Sequence, residues 1–276
     1  MRPTKTAPYR YAAIMFAGVL AASAPALSQD AADGTFIGDV PYVATPQDVV
    51  DSMLDLAKVG PGDYVIDLGS GDGRLVVTAA KRGAAGFGVD LDPKRIAESV
   101  ENARKAGVAD RAQFFQRDLF ETDFGRATVL TMYLLPDINL ALRPKVLGLK
   151  PGTRVVSHDF DMGDWVPDER LRMRSAVTHY ESNAYLWIVP ANAAGRWQAE
   201  GGDALRFEIA QTFQQIKLQA RNAQGPLDVS DARLAGDKIS FTAGGRAYDG
   251  RIDGDVIVGV RRGGAGDSPW SARRAK

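Results

Sequence analysis

Residues 65–74 read VIDLGSGDGR, an apolar run into an acid, then glycines at 69, 71 and 73 with Ser70 and Asp72 between them, then the start of a helical pattern. Glycines at such a junction let the chain turn tightly and let a ligand reach the backbone with no Cβ in the way. The helix that follows presents unpaired amides. A strand, a glycine loop and a helix in this order call for an open α/β sheet whose ligand lies beyond the strand's carboxyl end. The ligand is narrowed by what the loop lacks. No Lys-Ser or Lys-Thr follows, as a triphosphate loop needs, and Gly73 arrives one residue early for a dinucleotide fingerprint. Asp67, two residues before the first glycine, repels a pyrophosphate and suits a ligand carrying an ammonium or sulfonium group.

The neighbouring sequence repeats the pattern. Thr45-Pro46 opens a helix, with Thr45 as cap and Pro46 in the first turn, and QDVVDSMLDLAKV sets Val49, Val50, Met53, Leu54 and Leu56 mostly on one side. After YVIDLG come RLVVTAAKRG as helix, GFGVD as strand, PKRIAESVENARKAG as helix, then AQFFQRD and ATVLTMY as strands. ALRPKVLGL is a helical or turn-rich crossover, TRVVSHDF a fifth strand and HYESNAYLWIVP a late one. Strands alternating with helices predict an α/β fold, a parallel sheet covered by helices on both faces.

After Ala191 the texture changes. RFEIAQTFQQIKLQA, DARLAG, KISFTAG, RAYDGRIDG and DVIVGVRR alternate with a period near two, broken by Gly-Gly, Asp-Gly or Gly-Asp turns that include YDG, IDG and LAGD. They predict a small C-terminal antiparallel β meander. The expected division is a signal or anchor over 1–28, a linker over 29–40, the main domain over 41–191, a β-rich accessory domain over 192–264 and a flexible tail over 265–276.

Lys plus Arg and Asp plus Glu both number 34, so no net charge draws the chain to nucleic acid, and none is expected as a partner. With no cysteine there is no disulfide, thiolate nucleophile or thiolate-bound metal, and two histidines, His158 and His179, leave little room for a histidine-rich metal site. At the N-terminus, Arg2, Lys5 and Arg10 precede or flank YAAIMFAGVLAASAPA, and Ala26-Leu27-Ser28 has small residues where a signal peptidase reads. This predicts a periplasmic chain cleaved after Ser28, or an uncleaved segment that associates the chain with a membrane, the cytoplasmic face included.

Two further acids follow the glycine loop. Asp90 closes GFGVD 23 residues after Asp67 and precedes Leu91; a carboxylate there can accept from two ribose hydroxyls. Asp118, in RDLF, can take a donor from an adenine amino group beside Leu119 and Phe120, or can cap its own loop. Together DLGSGDG, GVDLD and RDLF resemble the class I S-adenosylmethionine-dependent methyltransferases. PYVATPQDVVDSML, the run from VIDLGSGDGR to DPKRI, the run from ATVLTMYLLPD to SHDFDMGDW, and YLWIVP resemble bacterial relatives of the mitochondrial lysine methyltransferases that modify the c-ring protein of ATP synthase and the adenine nucleotide translocase.

The resemblance covers about residues 41 to 190. It implies a Rossmann-like seven-stranded methyltransferase sheet, S-adenosylmethionine as cofactor and an amine, on a protein or a small molecule, as acceptor. Small-molecule N- or O-methylation and a non-catalytic envelope-associated binding protein are the alternatives. By the same resemblance Asp67, Gly69, Ser70 and Gly71 form the first cofactor loop, Asp90 and Leu91 the ribose side, and Asp118 and Leu119 the adenine side. Tyr42, Thr45 and Pro46 form the segment that closes over the cofactor.

TMYLLPD places Tyr133 and Asp137, and SHDFDMGDW places His158, Asp159, Asp161, Asp164 and Trp165, at the rim where an acceptor would meet the methyl group. Asp159 is the expected acid that orients an amine, His158 a candidate base, and Tyr133 an aromatic hydroxyl that favours a methylammonium. Each has a structural counterpart: His158 bonded at a strand end, Asp161 and Asp164 capping a turn, Trp165 and Tyr133 packed.

Overall fold

The computed structural model describes residues 42–200, 204–263 and 266–275. The signal segment and linker expected over 1–28 and 29–40 lie outside them. The described residues open with helix α1 (Gln47–Leu56), followed by β1 (Tyr64–Leu68), α2 (Arg74–Lys81), β2 (Ala85–Asp90), α3 (Pro93–Lys105) and β3 (Ala112–Gln116). Then come β4 (Val129–Met132), α4 (Pro136–Leu147), β5 (Arg154–His158), β6 (Glu169–Arg174) and β7 (Glu181–Ile188). These seven strands form one sheet in the order β3-β2-β1-β4-β5-β7-β6.

β1 to β5 run parallel, while β7 is antiparallel to both β5 and β6. The all-parallel sheet of the sequence reading is thus a mixed one. The reversal brings the loop between β6 and β7 to the same edge as the carboxyl ends of β1, β4 and β5. The two faces are set by alternation along the strands. Val65, Val129, Val156 and Leu186 pack under Val49, Val50, Met53 and Leu54 of α1, which recur at helical spacing, and under Leu75 and Ala79 of α2. Ile66, Leu130, Val155 and Trp187 face the other way, toward Ile138, Leu142 and Val146 of α4. At the start of α1, Thr45 does not cap; the cap position is Pro46, with no side-chain bond, and the Thr45 hydroxyl is used elsewhere.

The small meander is overturned. The C-terminal part is a nine-stranded antiparallel sheet of β8 (Gly195–Glu200), β9 (Arg206–Thr212), β10 (Gln215–Asn222), β11 (Gly225–Leu227), β12 (Val229–Ala235), β13 (Lys238–Ala243), β14 (Arg246–Asp253), β15 (Val256–Arg262) and β16 (Ser268–Arg274). Its order is β11-β10-β9-β8-β16-β15-β14-β13-β12, and it curls until β12 comes back against β10, nearly closing a barrel. The reason is a shared aromatic interior: Trp197, Phe207, Phe241, Tyr248 and Trp270 pack ring on ring and need strands on every side. Trp270 and Ala272 make β16 a central strand where a loose tail was expected. Gly250, expected in a turn, lies inside β14, because a Cβ there would press on Ile257 and Trp270.

The barrel meets the first sheet through the β9–β10 turn. Phe213 stacks on Trp165 at 5.7 Å between ring centroids, and the Arg143 guanidinium lies 5.5 Å from the Phe213 ring. Trp165 Nε1 donates to Gln214 Oε1 at 3.0 Å, and Trp187 Nε1 donates to the Trp165 carbonyl at 2.7 Å. Trp165 is fully buried, so it serves this joint and not the rim of the site.

Among the described residues no helix is long and apolar enough to cross a membrane. No membrane anchor is thus found among the described residues, and the N-terminal segment that carried the periplasmic or membrane-anchored expectation lies outside them. For the joint, Trp165→Ala should lower the unfolding free energy by about 3–5 kcal/mol through the cavity it leaves. Urea denaturation would measure it, and a loss below about 1 kcal/mol would show that Trp165 does not hold the two sheets together.

Candidate active site

Asp67 lies near the end of β1, in register with Thr131 of β4, and is only 2% exposed. Thr131 Oγ1 donates to Asp67 Oδ1 at 2.7 Å. Burial pushes the Asp67 carboxyl up to about 7; the Thr131 bond opposes the shift, and the nearby carboxylates of Asp90 and Asp72 add to it. A carboxyl held half-protonated near neutrality ionises when a cation comes within reach.

The glycine loop then turns over the end of β2. Gly69 N and Ser70 N donate to the Val89 carbonyl at 2.9 and 2.8 Å, and Gly71 N donates to Asp90 Oδ2 at 2.9 Å. Asp92 N donates to Asp90 Oδ1 at 2.9 Å, so the loop and the next helix both fix this carboxylate. Leu91, between them, is exposed. Gly71 sits at φ +52° with the Tyr42 ring directly over it, where a Cβ would collide. Ser70 Oγ is buried with no hydrogen-bond partner among the described residues. An acid that needs a cation, a backbone cradle and an orphaned hydroxyl at one strand end fit a nucleoside with a positively charged tail.

Tyr42 to Pro46 runs across this cradle. The Arg95 guanidinium lies 4.0 Å from the Tyr42 ring, Arg74 Nη1 donates to the Thr45 carbonyl at 2.7 Å, and Thr45 Oγ1 shares a hydrogen bond with His158 Nδ1 at 3.2 Å. Asp118, just past β3, accepts from Phe120 N at 2.8 Å and so caps its own loop, while Leu119 packs partly buried against the core.

The acceptor-side residues also converge. The rings of Tyr133 and His158 are 4.0 Å apart, and Phe160 stacks on Tyr133 at 6.0 Å. Burial lowers the His158 pKa, with the Asp159 carboxylate pulling the other way, so the imidazole is neutral at pH 7. His158 Nε2 is 3.4 Å from Asp159 Oδ2 but off the hydrogen-bonding line, and has no hydrogen-bond partner among the described residues. Asp159 has φ +59° and Phe160 N donates to the His158 carbonyl at 2.7 Å, a tight three-residue turn of the rare positive-φ kind. Asn183 holds it from both sides: Asn183 N donates to Asp159 Oδ1 at 2.7 Å, and Asp159 N to the Asn183 carbonyl at 2.8 Å.

Two residues that the sequence did not single out complete the frame. Asn139 of α4 is fully buried and donates to the carbonyls of Phe160 and Asp161, both at 3.2 Å. Asp48 accepts from Ser175 Oγ at 3.0 Å and Ala176 N at 2.6 Å, which ties the first turn of α1 to the loop between β6 and β7. Neither sits in a glycine motif or at a strand end, so only the tertiary pairing identifies them. Asp161 caps Gly163 N at 3.0 Å, Asp164 pairs with Arg143, and Asp137 lies in the first turn of α4.

The raised Asp67 pKa has a consequence for the ligand-free protein. The folded group titrates near 7 and the free carboxyl near 3.8, so the folded state holds the extra proton between those values. Stability is therefore fully present below the lower value and is lost as pH rises through the upper one, at up to about 1.4 kcal/mol per pH unit. Asp67→Asn should flatten this part of the profile and raise the melting temperature above neutrality. Melting curves across that range check it; an unchanged slope contradicts the assignment.

The ANTKMT methyltransferase domain family matches residues 67–169 of the chain. A protein-lysine N-methyltransferase of Saccharolobus islandicus is 42% identical over 158 residues, which are 56% of this chain and 97% of that protein. The adenine nucleotide translocase lysine N-methyltransferase of Mus musculus is 32% identical over 130 residues, 46% of this chain and only 56% of that protein. A crystal structure of an RNA methyltransferase from Salinibacter ruber with S-adenosyl-L-homocysteine is 48% identical with a TM-score of 0.51, covering 54% of this chain and 95% of that one. With the cradle for a cationic nucleoside in place, this chain is an S-adenosylmethionine-dependent methyltransferase and belongs to the family of the Saccharolobus protein-lysine N-methyltransferase.

Proposed function

We propose that the chain methylates the side-chain nitrogen of a lysine on a protein, with residues 41–191 as the catalytic part. The observation that carries this reading is the strained Asp159, held beside the Tyr133 ring and a neutral His158 at the sheet edge that also bears the cofactor cradle. Its likeness to a protein-lysine N-methyltransferase over nearly all of that protein supports it further.

In this account Asp67 ionises against the cofactor's ammonium, and Gly69, Ser70 and Gly71 offer backbone and the free Ser70 hydroxyl. Asp90 keeps spare lone pairs for ribose hydroxyls next to Leu91. Asp118 and Leu119 border the adenine, and Tyr42, Thr45 and Pro46 cover the cradle and exclude water. The bound cofactor supplies an electrophilic methyl group on a sulfonium. The chain's task is to align and deprotonate the acceptor. Asp159 draws in the ammonium and orients it. The proton leaves to Asp159, and the neutral His158 Nε2, 3.4 Å from its carboxylate, can take it on. The freed lone pair would be aimed at that methyl group, whose transfer to nitrogen breaks its bond to sulfur and leaves a neutral thioether, and the face of Tyr133 would favour the resulting methylammonium.

One observation favours a second reading, an RNA acceptor: the 48%-identical Salinibacter protein is described as an RNA methyltransferase. The balanced charge of this chain favours it less. Incubating the protein with methyl-labelled S-adenosylmethionine and a cell lysate, then separating protein, RNA and small molecules, tests both. Label recovered as methyl-lysine from the protein fraction is expected; label in RNA or in small molecules contradicts the lysine reading. Asp159→Asn should cut the rate about a hundredfold or more with cofactor affinity nearly unchanged. Asp67→Asn should weaken cofactor binding about tenfold or more, and wild-type affinity should rise with pH as Asp67 ionises; calorimetric titration checks both, and a pH-independent affinity contradicts the role.

A further inference from the structure

The edge strand β6 reads ERLRMR, and its alternate residues Arg170, Arg172 and Arg174 lie on one face beside the acceptor rim. Arg170 donates to Asn183 Oδ1 at 2.9 Å, the residue whose backbone grips Asp159. Arg172 is paired with Asn183 in the ladder, and its side chain is 71% exposed. Among the described residues Arg172 meets Glu181 only through Nε, at 3.1 Å, and Arg174 meets only the His179 carbonyl, also through Nε and at 3.1 Å. Among the described residues no hydrogen bond is found from the outer nitrogens of either guanidinium. Next to them the loop between β6 and β7 exposes Tyr180 at 76% and Val177 at 63%.

Charges on an edge strand deter stray sheet pairing, and either sign serves that purpose. Here the three charges that β6 itself puts on this face are all guanidiniums, spaced two residues apart; Glu181 of β7 pairs with Arg172 through Nε, which leaves the outer nitrogens of Arg172 and Arg174 to grip carboxylates. They stand beside the rim acids Asp159 and Asp161, so the mouth is acidic and its flank basic. The complement of that surface is a lysine with acidic neighbours. Asp159 bonds to Asn183, and Asn183 is paired with Arg172, so two strand spacings, about 10 Å, separate the acceptor acid from the middle of the ladder. An extended chain covers that distance in about three residues.

We propose that the Arg170–Arg172–Arg174 ladder is a docking surface for an acidic stretch of the protein acceptor, and that it selects lysines with an acidic side chain about three residues away. The inference rests on the protein-lysine reading above. It is tested by fluorescence anisotropy on the full chain with saturating S-adenosylhomocysteine. The probe is a labelled peptide with one lysine and glutamates about three residues to each side; the control has glutamines in their place.

The glutamate peptide should bind about tenfold tighter than the control, and the preference should fade at about 0.5 M salt. The R170Q/R172Q/R174Q variant should lose the preference, and R172Q alone should reduce it. An unchanged affinity for S-adenosylhomocysteine shows that both variants are folded. Equal binding of the two peptides, or a preference that survives the triple substitution, overturns the proposal. So does ladder-dependent binding of an RNA oligonucleotide in preference to either peptide. Lysine label in lysate protein without a glutamate preference removes only the docking surface; an unlabelled protein fraction removes the acceptor reading itself.

Discussion

A carboxylate sealed into the centre of a sheet is the constraint around which the rest of the molecule is arranged. Asp67 interrupts an otherwise apolar strand and has a neutral hydroxyl, Thr131, as its hydrogen-bond partner. Such a group is tolerated in its charged form only with a cation beside it. The parallel register of β1 and β4 brings that hydroxyl into place, and the glycine loop begins two residues after Asp67. Asp90, bonded to the amides of Gly71 and Asp92, keeps the loop open in that shape.

In the part proposed for the acceptor, backbone strain held by hydrogen bonds takes the place of charge burial. Asp159 adopts a backbone conformation that a non-glycine residue takes at a cost of about 1–3 kcal/mol, and the bonds from Asn183 and the Asn139 clip on the two following carbonyls hold it there. The first turn of α1 links the halves. Thr45 reaches His158, and three residues later Asp48 reaches the β6–β7 loop. The segment over the glycine loop and the loop between β6 and β7 are therefore tied to the same helix end.

The placement of the glycine loop and of the acids at 67, 90, 118 and 159 at strand ends was legible because that pattern is local, whereas their ligand roles belong to the proposal and Asp118 is bonded within its own loop. Elements whose existence depends on partners were not. β6 alternates Leu171 and Met173 with Arg170, Arg172 and Arg174, but with only two apolar residues among four charged ones the run is too short and too polar to stand out as a strand; pairing with β7 makes it one. SPWSARR follows a glycine-rich stretch and reads as a tail, yet Trp270 has to be enclosed, and that requirement recruits it between β8 and β15. Gly250 reads as a turn because of Asp249 before it, whereas its missing side chain serves interior packing. For Trp165 the sequence left rim and packing both open, and the packing reading holds: Trp187 of the sheet and Phe213 and Gln214 of the barrel together enclose it.

The nine-stranded barrel lies beyond the residues matched by the methyltransferase family, and its aromatic interior is filled by its own side chains. It touches the first sheet through Phe213 and Gln214 at Trp165 and through Gly236 beside Gly152 and Ile188, away from Asp67, so the account of cofactor choice stands on Asp67. The most direct measurement is the ionisation of that carboxyl, followed by carbon NMR across a pH titration with and without S-adenosylhomocysteine. The account predicts a midpoint near 7 in the free protein, displaced well below the usual carboxylate range once the ligand's ammonium is bound. An ordinary carboxylate midpoint in the free protein, or one that the ligand does not move, would contradict it.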